Sequence, residues 1–256
     1  MIAAIVQARL GSSRFPNKVI KPILGQPMIC HILNRLSNSK MLEKIIVAIP
    51  DSDKNSVLEQ ILKQNDALYF FGNEQDVLDR YYKCAKFFNV DIIVRITADD
   101  PFKDSSIIDK AIDIFIEKSS DIDYVANCSY DGSIRATYPE GLDVEVFSFS
   151  CLDKIWKSAN KKSEREHVTP FLFNNKSNFK IAGFENNEDL SNYRWTVDYE
   201  IDYLFAKEVY SNLFHKNNNF LMNDIIKLLN QKKSLSKMNN NIVRHEGYKQ
   251  SLKEEL

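Results

Sequence analysis

A basic turn rich in small polar residues follows the first apolar run of the sequence. The segment QARLGSSRFPNKV occupies positions 7–19 and comes directly after the apolar residues 2–6. Six of its residues are of types that often bind phosphate: Arg9, Gly11, Ser12, Ser13, Arg14 and Lys18. The glycine lets the backbone approach a ligand closely, the serines offer hydroxyl and amide donors, and three cations neutralise a polyanion. We interpret this turn as a triphosphate site.

The spacing of this turn excludes two common phosphate motifs. It is neither the Walker A pattern, which needs two glycines followed by Lys and Ser or Thr, nor the three-glycine dinucleotide fingerprint. The alternative is a solvated basic loop with a helix-capping serine. The position of the turn, directly after a predicted parallel strand, favours phosphate binding.

Acidic side chains end two other apolar segments. RITADDPF places Asp99 and Asp100 after a predicted buried strand, and RWTVD ends at Asp198. Carboxylates at the ends of parallel strands suit Mg²⁺, which proteins bind through one or two carboxylates together with substrate phosphates. The alternative for the first pair is a turn and a helix cap before Ser105, and we assign Asp100 to the turn. For Asp198 the alternative is a cap on a helix that begins near Glu200.

The first half of the chain alternates apolar, β-branched runs with segments of helical period. The predicted strands are 2–6, 44–49, 68–71 and 92–97, and the predicted helices are 27–36, 53–64, 76–87 and 105–116. This alternation predicts an α/β fold with a doubly wound, mostly parallel sheet covered on both faces. The carboxyl ends of its strands would bring the basic turn and the acidic segments to one crevice.

The rhythm changes after about residue 120. The segment GLDVEVF (141–147) alternates apolar and acidic side chains, which predicts a half-exposed strand in a small antiparallel addition. Further predicted helices are 150–159, 163–174, 200–214 and 223–231, and further strands are 180–184 and 194–197. Residues 232–256, rich in Lys, Asn and Glu, are predicted to be a frayed tail or an arm that rests on a partner.

We expect one domain of 256 residues, because neither repeats nor linker-like segments divide the chain. Within it, residues 1–120 form the nucleotide-binding half, 121–214 carry second-substrate and dimerisation elements, and 215–256 form a C-terminal helix and tail. The formal net charge of −1 argues against nucleic acid or a membrane surface as a partner. With no apolar run near 18 residues and no cationic leader, we expect a cytoplasmic protein. The four cysteines fit reduced core thiols.

Two segments of the second half concentrate acid, base and imidazole groups. YPEGLDVEVF and SEREHVTPF contribute Glu140, Asp143, Glu145, Arg165, Glu166 and His167. Such a set suits a polyol that carries a carboxylate or another anionic group. The alternatives are a solvent-facing helical turn after a capping Ser163 for Arg165 and Glu166, and a satisfied core histidine for His167.

Six segments occur in a recognisable order along the chain. They are QARLGSSRFPNKV, DVLDRYY, VRITADDPF, YPEGLDVEVF, SEREHVTPF and RWTVDYEIDY. Together they closely resemble the spore-coat-polysaccharide-type cytidylyltransferases, a family related to the CMP-Kdo and CMP-sialic acid synthetases. The resemblance covers roughly residues 1–214, and six ordered motifs are far more specific than one. Relatives often open with Pro-Ala-Arg where this chain has Gln7-Ala8-Arg9, a departure that the spore-coat branch shares.

The resemblance implies a GT-A-like nucleotide-diphospho-sugar transferase fold, CTP as the nucleotide and Mg²⁺ as the cofactor. Asp99 and Asp198 match the metal-binding aspartates of the family, and Arg14, Lys18 and Asp99 are the expected catalytic residues. The residues expected to bind the nucleotide are Gln7, Ala8, Arg9, Gly11, Ser12, Ser13, Arg14, Lys18 and Arg80. For Arg80 the alternative is an exposed, charged helix face.

The resemblance also places the second substrate and a partner subunit. His167 matches a histidine that lies near the sugar acid in relatives, and Asp143 or Glu145 would contact substrate hydroxyls, with Arg165 as a further substrate contact. Relatives form homodimers in which an arm of one subunit closes over the other's second-substrate site. We therefore expect a homodimer, with GLDVEVF and residues 232–256 as possible dimer elements.

The function implied is transfer of CMP from CTP to an acidic sugar or a related surface-polysaccharide precursor, with release of pyrophosphate. Two alternatives stay open. A nucleotide-sugar-dependent glycosyltransferase shares the doubly wound first half, but usually has an Asp-x-Asp motif where this chain has Asp99-Asp100-Pro101. A non-catalytic member of the family would only bind nucleotide.

Overall fold

The computed structural model describes residues 1–242, 244 and 246–255 of the chain. Val243, His245 and Leu256, which belong to the predicted tail, lie outside the described residues. Within the described part, no helix is long and apolar enough to cross a membrane.

The described residues form nine strands and ten α-helices. The strands are Ile2–Gln7 (β1), Pro22–Ile23 (β2), Gln26–Pro27 (β3), Lys44–Pro50 (β4), Leu68–Gly72 (β5), Ile92–Thr97 (β6), Tyr124–Ala126 (β7), Glu145–Ser148 (β8) and Ile181–Gly183 (β9). The helices are Met28–Leu36 (α1), Ser56–Gln64 (α2), Val77–Phe87 (α3), Ser105–Glu117 (α4), Phe149–Ser158 (α5), Lys162–His167 (α6), Pro170–Asn174 (α7), Glu200–Leu213 (α8), Met222–Gln231 (α9) and Glu246–Lys253 (α10).

Seven of the strands form one sheet, in the order β5-β4-β1-β6-β8-β7-β9. Every neighbouring pair in it is parallel except those that β8 makes with β6 and β7. The strands β2 and β3 form a separate antiparallel ribbon. The predicted doubly wound, mostly parallel α/β fold with a small antiparallel addition is therefore confirmed.

Successive side chains of β1 enter two different cores, one on each face of the sheet. Ala4 and Val6 pack with apolar residues of α1, α2, α4, α8 and α9, whereas Ala3 and Ile5 pack with those of α3, α5 and α7. A strand buried on both faces needs a continuous apolar run, because alternate side chains point to opposite faces. This is why the central strands could be identified in the sequence.

The prediction of a half-exposed strand over GLDVEVF is wrong in extent and in exposure. Only the last part of the segment belongs to β8, which lies between two other strands and therefore offers no edge to a partner. Glu145 is 7% exposed and Val146 is fully buried. The alternation misleads because Glu145 has buried partners, described below, that replace water.

Several other segments differ from their predictions. The single helix predicted over 163–174 is divided into α6 and α7, because Val168 has a φ of 71° and the amide of Thr169 donates to the carbonyl of His167 at 2.9 Å. This is a strained γ-turn, which interrupts the helical geometry between α6 and α7. The strand predicted over 194–197 is reduced to one bridge, between Glu140 and Arg194.

In its described residues, the tail forms helical turns and packs against its own chain, while its predicted contact with a partner stays a prediction. Residues 235–237 form a short 3₁₀ turn, and α10 packs against α6 of the same chain. Although α10 is amphipathic in sequence, none of its residues is buried. It lies across the mouth of the cleft described next, where it makes polar contacts and where Tyr248 contacts the rings of Tyr130 and His167.

Candidate active site

A cleft of about 820 Å³ lies at the edge of the sheet where β1 and β6 end. The antiparallel β8 begins at this same edge, because Glu145 pairs with Arg95 near the end of β6. The cleft is lined by most of the predicted site residues: Gln7, Ala8, Arg9, Ser12, Ser13, Arg14, Lys18, Arg80, Asp99, Asp143, Glu145, His167 and Asp198. Gly11 and Arg165, which were also predicted, are not part of the lining.

The basic turn is fixed by its own backbone and by one aromatic anchor. The amide of Leu10 donates to Asn55 Oδ1 at 3.1 Å, and the amide of Asn17 donates to the Leu10 carbonyl at 3.1 Å. Phe15 is buried, and its ring centroid lies 5.7 Å from that of Tyr203. The turn therefore keeps its shape while its polar residues face the cleft.

Gly11 has open space around it. A Cβ atom built on Gly11 would have no heavy atom within 4 Å, so no neighbour among the described residues requires glycine there. Its φ is not in the left-handed region either. The predicted reason for this glycine, close approach of a phosphate, stays a prediction.

Lys18 connects the basic turn to the two carboxylates predicted to bind metal. Its Nζ lies 2.8 Å from Asp99 Oδ2 and 2.9 Å from Asp198 Oδ1, and it also donates to the carbonyl of Val197 at 2.9 Å. Burial lowers the pKa of Lys18, but the charges of Asp99 and Asp198 outweigh it and raise the pKa above its ordinary value. Three segments that are far apart in sequence thus meet at one ammonium group.

Asp198 is in contact with three cations. Besides Lys18, Arg14 Nη2 lies 2.7 Å from Oδ1 and Arg194 Nη2 lies 3.0 Å from Oδ2. Burial alone would raise the pKa of Asp198, but these charges, that of Lys18 first, lower it to about 2. The carboxylate is therefore ionised across the physiological range and holds the basic turn against the sheet.

The buried side chain of Arg194 helps to hold Asp198 in position. Arg194 is 4% exposed and makes ion pairs with Glu140 at 2.7 Å and with Asp202 at 3.1 Å. Asp202 also accepts the amides of Asp198 and Tyr199, each at 3.0 Å, at the start of α8. The alternative role of Asp198 as the cap of this helix is wrong, because the N-cap position is Tyr199 and the Asp198 carboxylate instead contacts Lys18, Arg14 and Arg194.

The aspartates that follow β6 have separate environments. Asp100 accepts from the Thr97 hydroxyl at 2.7 Å and pairs with Lys103 at 2.9 Å. Its burial raises its pKa, against the opposing charge of Lys103. The side chain that caps α4 is Asp104, which accepts the amide of Ser106 at 2.9 Å, so a capping role for Asp99 is wrong.

The carboxylates of Asp99 and Asp198 are suited to a magnesium ion. Both carboxylates line the cleft, and Mg²⁺ typically completes its shell with water and substrate phosphates. Among residues 1–242, 244 and 246–255, no three His, Cys, Asp or Glu side chains are grouped so that they could hold a metal ion by themselves. A metal ion at this pair would need further oxygen ligands from water or from a bound molecule.

The second half of the cleft contains a buried carboxylate with several donors. Glu145 pairs with Arg95 and accepts the hydroxyls of Tyr124 and Thr169, each at 2.6 Å. The strained γ-turn at Val168 places Thr169 for this contact. Glu145 lines the cleft as predicted, but it is a fixed part of the wall.

The tail supplies partners to two other predicted substrate residues. Asp143 pairs with Arg244, and His167 Nε2 lies 3.0 Å from the Ser251 hydroxyl. The ring of His167 also meets the ring of Tyr248, with a centroid distance of 5.2 Å. Both predicted residues therefore lie where the C-terminal segment meets the cleft.

Arg80 of α3 and Arg165 of α6, both predicted to belong to the site, differ in their position relative to the cleft. Arg80 is 1% exposed, which makes the alternative of an exposed charged face wrong. It donates to the carbonyl of Asn73 at 2.7 Å while its Nε has no partner, and burial, helped by the charge of Arg9, lowers its pKa to about 10. Arg165 instead turns from the cleft and pairs with Asp76, the N-cap of α3, at 2.6 Å.

The sequence analysis missed several charged residues that shape this site. They are Arg95, Lys103, Arg194, Arg244 and Glu246. A signal existed for the first three, since each is a cation within or beside an apolar segment that had already been singled out. The two tail residues have no comparable signal, because their neighbours in sequence are polar and irregular.

Comparison with known proteins agrees with this architecture. The chain matches the family model described as cytidylyltransferase over residues 3–248. A solved cytidylyltransferase structure from Leptospira borgpetersenii serovar Hardjo-bovis superimposes with a TM-score of 0.87 at 32% identity, over 95% of this chain and 99% of that one.

Two curated relatives extend over most of the chain. An uncharacterised protein of Methanocaldococcus jannaschii is 34% identical over 251 residues, which are 97% of this chain and 98% of that protein. The spore coat polysaccharide biosynthesis protein SpsF of Bacillus subtilis is 29% identical over 216 residues, 82% of this chain and 86% of that protein. Since the family model spans nearly the whole sequence, the predicted resemblance is confirmed, and the chain belongs to the cytidylyltransferase family.

Proposed function

We propose that this protein transfers CMP from CTP to an acidic sugar or a related surface-polysaccharide precursor and releases pyrophosphate. One observation carries the proposal. The basic turn and the carboxylates of Asp99 and Asp198 share a single cleft and are already in contact through Lys18. A polyanion and a divalent cation are the two ligands for which this combination of charges is suited.

The proposed nucleotide site uses the turn after β1. Arg9 and Arg14 would hold the triphosphate together with Lys18, and the serine hydroxyls and amides of Ser12 and Ser13 would donate to its oxygens. Arg9 is half exposed, and Arg14 retains 30% exposure, so both can reach a ligand in the cleft. Gln7, Ala8 and Arg80 complete the proposed nucleotide wall.

The proposed reaction is an in-line displacement at phosphorus. A hydroxyl oxygen of the acceptor forms a bond to the α-phosphorus, the bond from that phosphorus to the bridging oxygen breaks, and pyrophosphate leaves. The hydroxyl proton passes to water in the open cleft. A magnesium ion held by Asp99 and Asp198 would supply neutralisation of phosphate charge and a lowered pKa for the acceptor hydroxyl.

The residues of the chain contribute position and charge to this reaction. No covalent intermediate is required, because phosphoryl-type transfer depends on alignment and on stabilising charge in the transition state. The described cysteines are all buried, and burial raises the pKa of each thiol, which makes them poor nucleophiles.

The acceptor would occupy the half of the cleft around Asp143, Glu145 and His167. Carboxylates, a histidine and the neighbouring Tyr130 and Ser129 offer both donors and acceptors to a hydroxyl-rich molecule. The name of the Bacillus subtilis relative, which refers to polysaccharide biosynthesis, supports a polysaccharide precursor as the acceptor.

The test is a pyrophosphate-release assay with purified protein, Mg²⁺ and a panel of acidic sugars. We expect release with CTP and much less with UTP, ATP or GTP. Arg14→Ala should lower the rate at least about a hundredfold, because it removes a charge that would stabilise the leaving group. Lys21→Ala is the matched control, since Lys21 lies close by in sequence but outside the cleft lining.

Two outcomes would contradict the proposal. Full activity of Arg14→Ala would exclude the triphosphate role of the turn. Tight CTP binding without pyrophosphate release, on every acceptor of the panel, would instead identify a member that only binds nucleotide.

A further inference from the structure

The ammonium group of Lys18 has all three of its hydrogens engaged by oxygen atoms. The acceptors are Asp99 Oδ2, Asp198 Oδ1 and the Val197 carbonyl, at 2.8 to 2.9 Å. A lysine ammonium has three donors and no further capacity. The side chain of Lys18 is only 10% exposed, so this arrangement is a closed one.

The ammonium lies between the oxygen atoms that would hold a divalent ion. Two carboxylates and a carbonyl are hard oxygen ligands of the kind that Mg²⁺ and Mn²⁺ prefer. An ammonium and a divalent ion cannot both lie between Asp99 and Asp198, because they would collide and repel each other. The cation already present therefore decides whether a second one can bind.

The backbone beside Lys18 is fixed, whereas its side chain borders the open cleft. Lys18 opens the 3₁₀ turn Lys18–Ile20 after Asn17, which has a φ of 59°, and the next residue, Val19, is 2% exposed. Four rotatable bonds nevertheless allow the ammonium of a lysine to change direction. Ser12, Ser13 and Arg14 line the cleft beside it, where the triphosphate is proposed to lie.

We propose that Lys18 is the resident cation of the Asp99–Asp198 pair in the nucleotide-free protein. A divalent ion binds these carboxylates only when a triphosphate draws the ammonium away and offers it phosphate oxygens. The metal and the nucleotide thus enter together, and Lys18 exchanges two carboxylates for phosphate. This inference rests on the proposed function, because the same turn must bind the triphosphate.

The exchange keeps charge balanced in both states. Without nucleotide, Lys18 neutralises two carboxylates that would otherwise repel each other in a partly buried site. With nucleotide, the divalent ion takes over that role, and the ammonium moves to the phosphates. Arg14 and Arg194 remain on Asp198 in the nucleotide-free state, which makes entry of a free divalent ion still less favourable.

The test measures Mn²⁺ binding to the full chain without nucleotide, by electron paramagnetic resonance. The wild-type protein should bind Mn²⁺ weakly at this site. Lys18→Met, which keeps the apolar stem and removes the charge, should bind it at least about tenfold more tightly. The gain in Mn²⁺ affinity should disappear when Asp198→Asn is added to Lys18→Met. That loss would show that the ion binds at the Asp99–Asp198 pair.

The matched control is Lys21→Met. Lys21 lies three residues further along, and its ammonium is 4.7 Å from the centroid of the Phe15 ring, away from both carboxylates. This variant loses the same charge from the same segment, and it should leave Mn²⁺ affinity at the wild-type value. A gain as large as that of Lys18→Met would overturn the inference, because it would reflect net charge alone.

Further results bear on the inference even if Lys18→Met fails to fold. Mg²⁺ alone should leave the melting temperature of the wild-type protein unchanged, because an ion that does not bind the native state does not stabilise it. A marked rise with Mg²⁺ alone that Asp198→Asn abolishes would overturn the inference. Equal Mn²⁺ affinity in wild type and Lys18→Met would also overturn it.

Failure of the inference and failure of the proposed function give different results. The metal measurements are made without nucleotide and without turnover. If pyrophosphate is released from CTP but wild type binds Mn²⁺ as tightly as Lys18→Met, the function stands and the exchange is excluded. If no pyrophosphate is released while the gain in Lys18→Met is observed, the function fails and the resident cation stands.

Discussion

Asp198 is the residue at which the charges of the cleft converge. Its carboxylate touches Lys18 and Arg14 from the basic turn, and Arg194 from its own segment. The sequence identified Asp198, Lys18 and Arg14 separately, each from its local motif. That the three side chains form one ion-pair network is a property of the tertiary structure.

The lowered pKa of Asp198 predicts a specific dependence of stability on pH. The pKa falls from its ordinary 3.8 to about 2, and the side chain is only 15% exposed. Because the folded-state pKa lies below the unfolded-state value, ionised Asp198 stabilises the fold above about pH 4. That stabilisation is lost as pH falls towards 2, and it amounts to about 2 kcal/mol.

Asp198→Asn isolates this contribution, because asparagine keeps the shape and cannot ionise. We expect the wild-type protein to exceed the variant in free energy of unfolding at pH 6, and we expect the difference to shrink steadily as pH falls below 4. Urea unfolding between pH 6 and pH 2.5 measures it. A difference that stays constant over this range would contradict the assigned pKa shift.

At the scale of elements, α10 and the turn after β1 meet through Arg14. Glu246 Oε2 lies 3.4 Å from Arg14 Nη1 and accepts the hydroxyl of Tyr199 at 2.7 Å. No residue of α10 is buried, and the helix is held by polar contacts of this kind together with ring contacts of Tyr248 to Tyr130 and His167. The carboxylate of Glu246 thus occupies a guanidinium that the proposed nucleotide also needs.

Glu246→Gln should therefore tighten CTP binding. Exposed ion pairs contribute little, so we expect the dissociation constant to fall by about two- to fivefold, as measured by isothermal titration calorimetry. The matched control is Glu254→Gln, directly after the end of the same helix, whose ion-pair partner is Lys162 at 3.7 Å and not Arg14. Weaker CTP binding in Glu246→Gln would show that Glu246 supports the nucleotide site.

At the scale of the whole molecule, the sheet brings distant segments to one edge. Parallel β1 and β6 end there, and antiparallel β8 begins there, so a turn, an acidic segment and a second-substrate wall share one cleft. This arrangement also fixes where the two elements suggested for dimerisation lie, and their role in a dimer stays a prediction. β8 lies inside the sheet, and α10 lies against α6 of its own subunit.

The homodimer itself stays a prediction, which follows from the family resemblance. We expect light scattering of the purified protein to give twice the chain mass of 29.7 kDa. A mass equal to that of one chain, at the concentrations used for the activity assay, would contradict it.

Elements and local motifs could be predicted from the sequence because they depend on neighbours in the chain. The apolar run of β1, the helical stripe of α1 and the Gly-Ser turn between them each follow from a few residues and their spacing. The end of β6, and the position of Asp99 just after it, could be predicted in the same way. For the same reason the doubly wound fold could be predicted before any contact was known.

The contacts that define the site were decided by tertiary structure alone. Lys18 meets Asp99 and Asp198 across separations of 81 and 180 residues, and Glu145 is buried only because Arg95 and Thr169 reach it. Such pairs depend on strand order and register, which no local pattern encodes. A polar side chain is usually expected at the surface. A carboxylate whose charge is neutralised by buried partners can nevertheless occupy the interior, as an apolar side chain does.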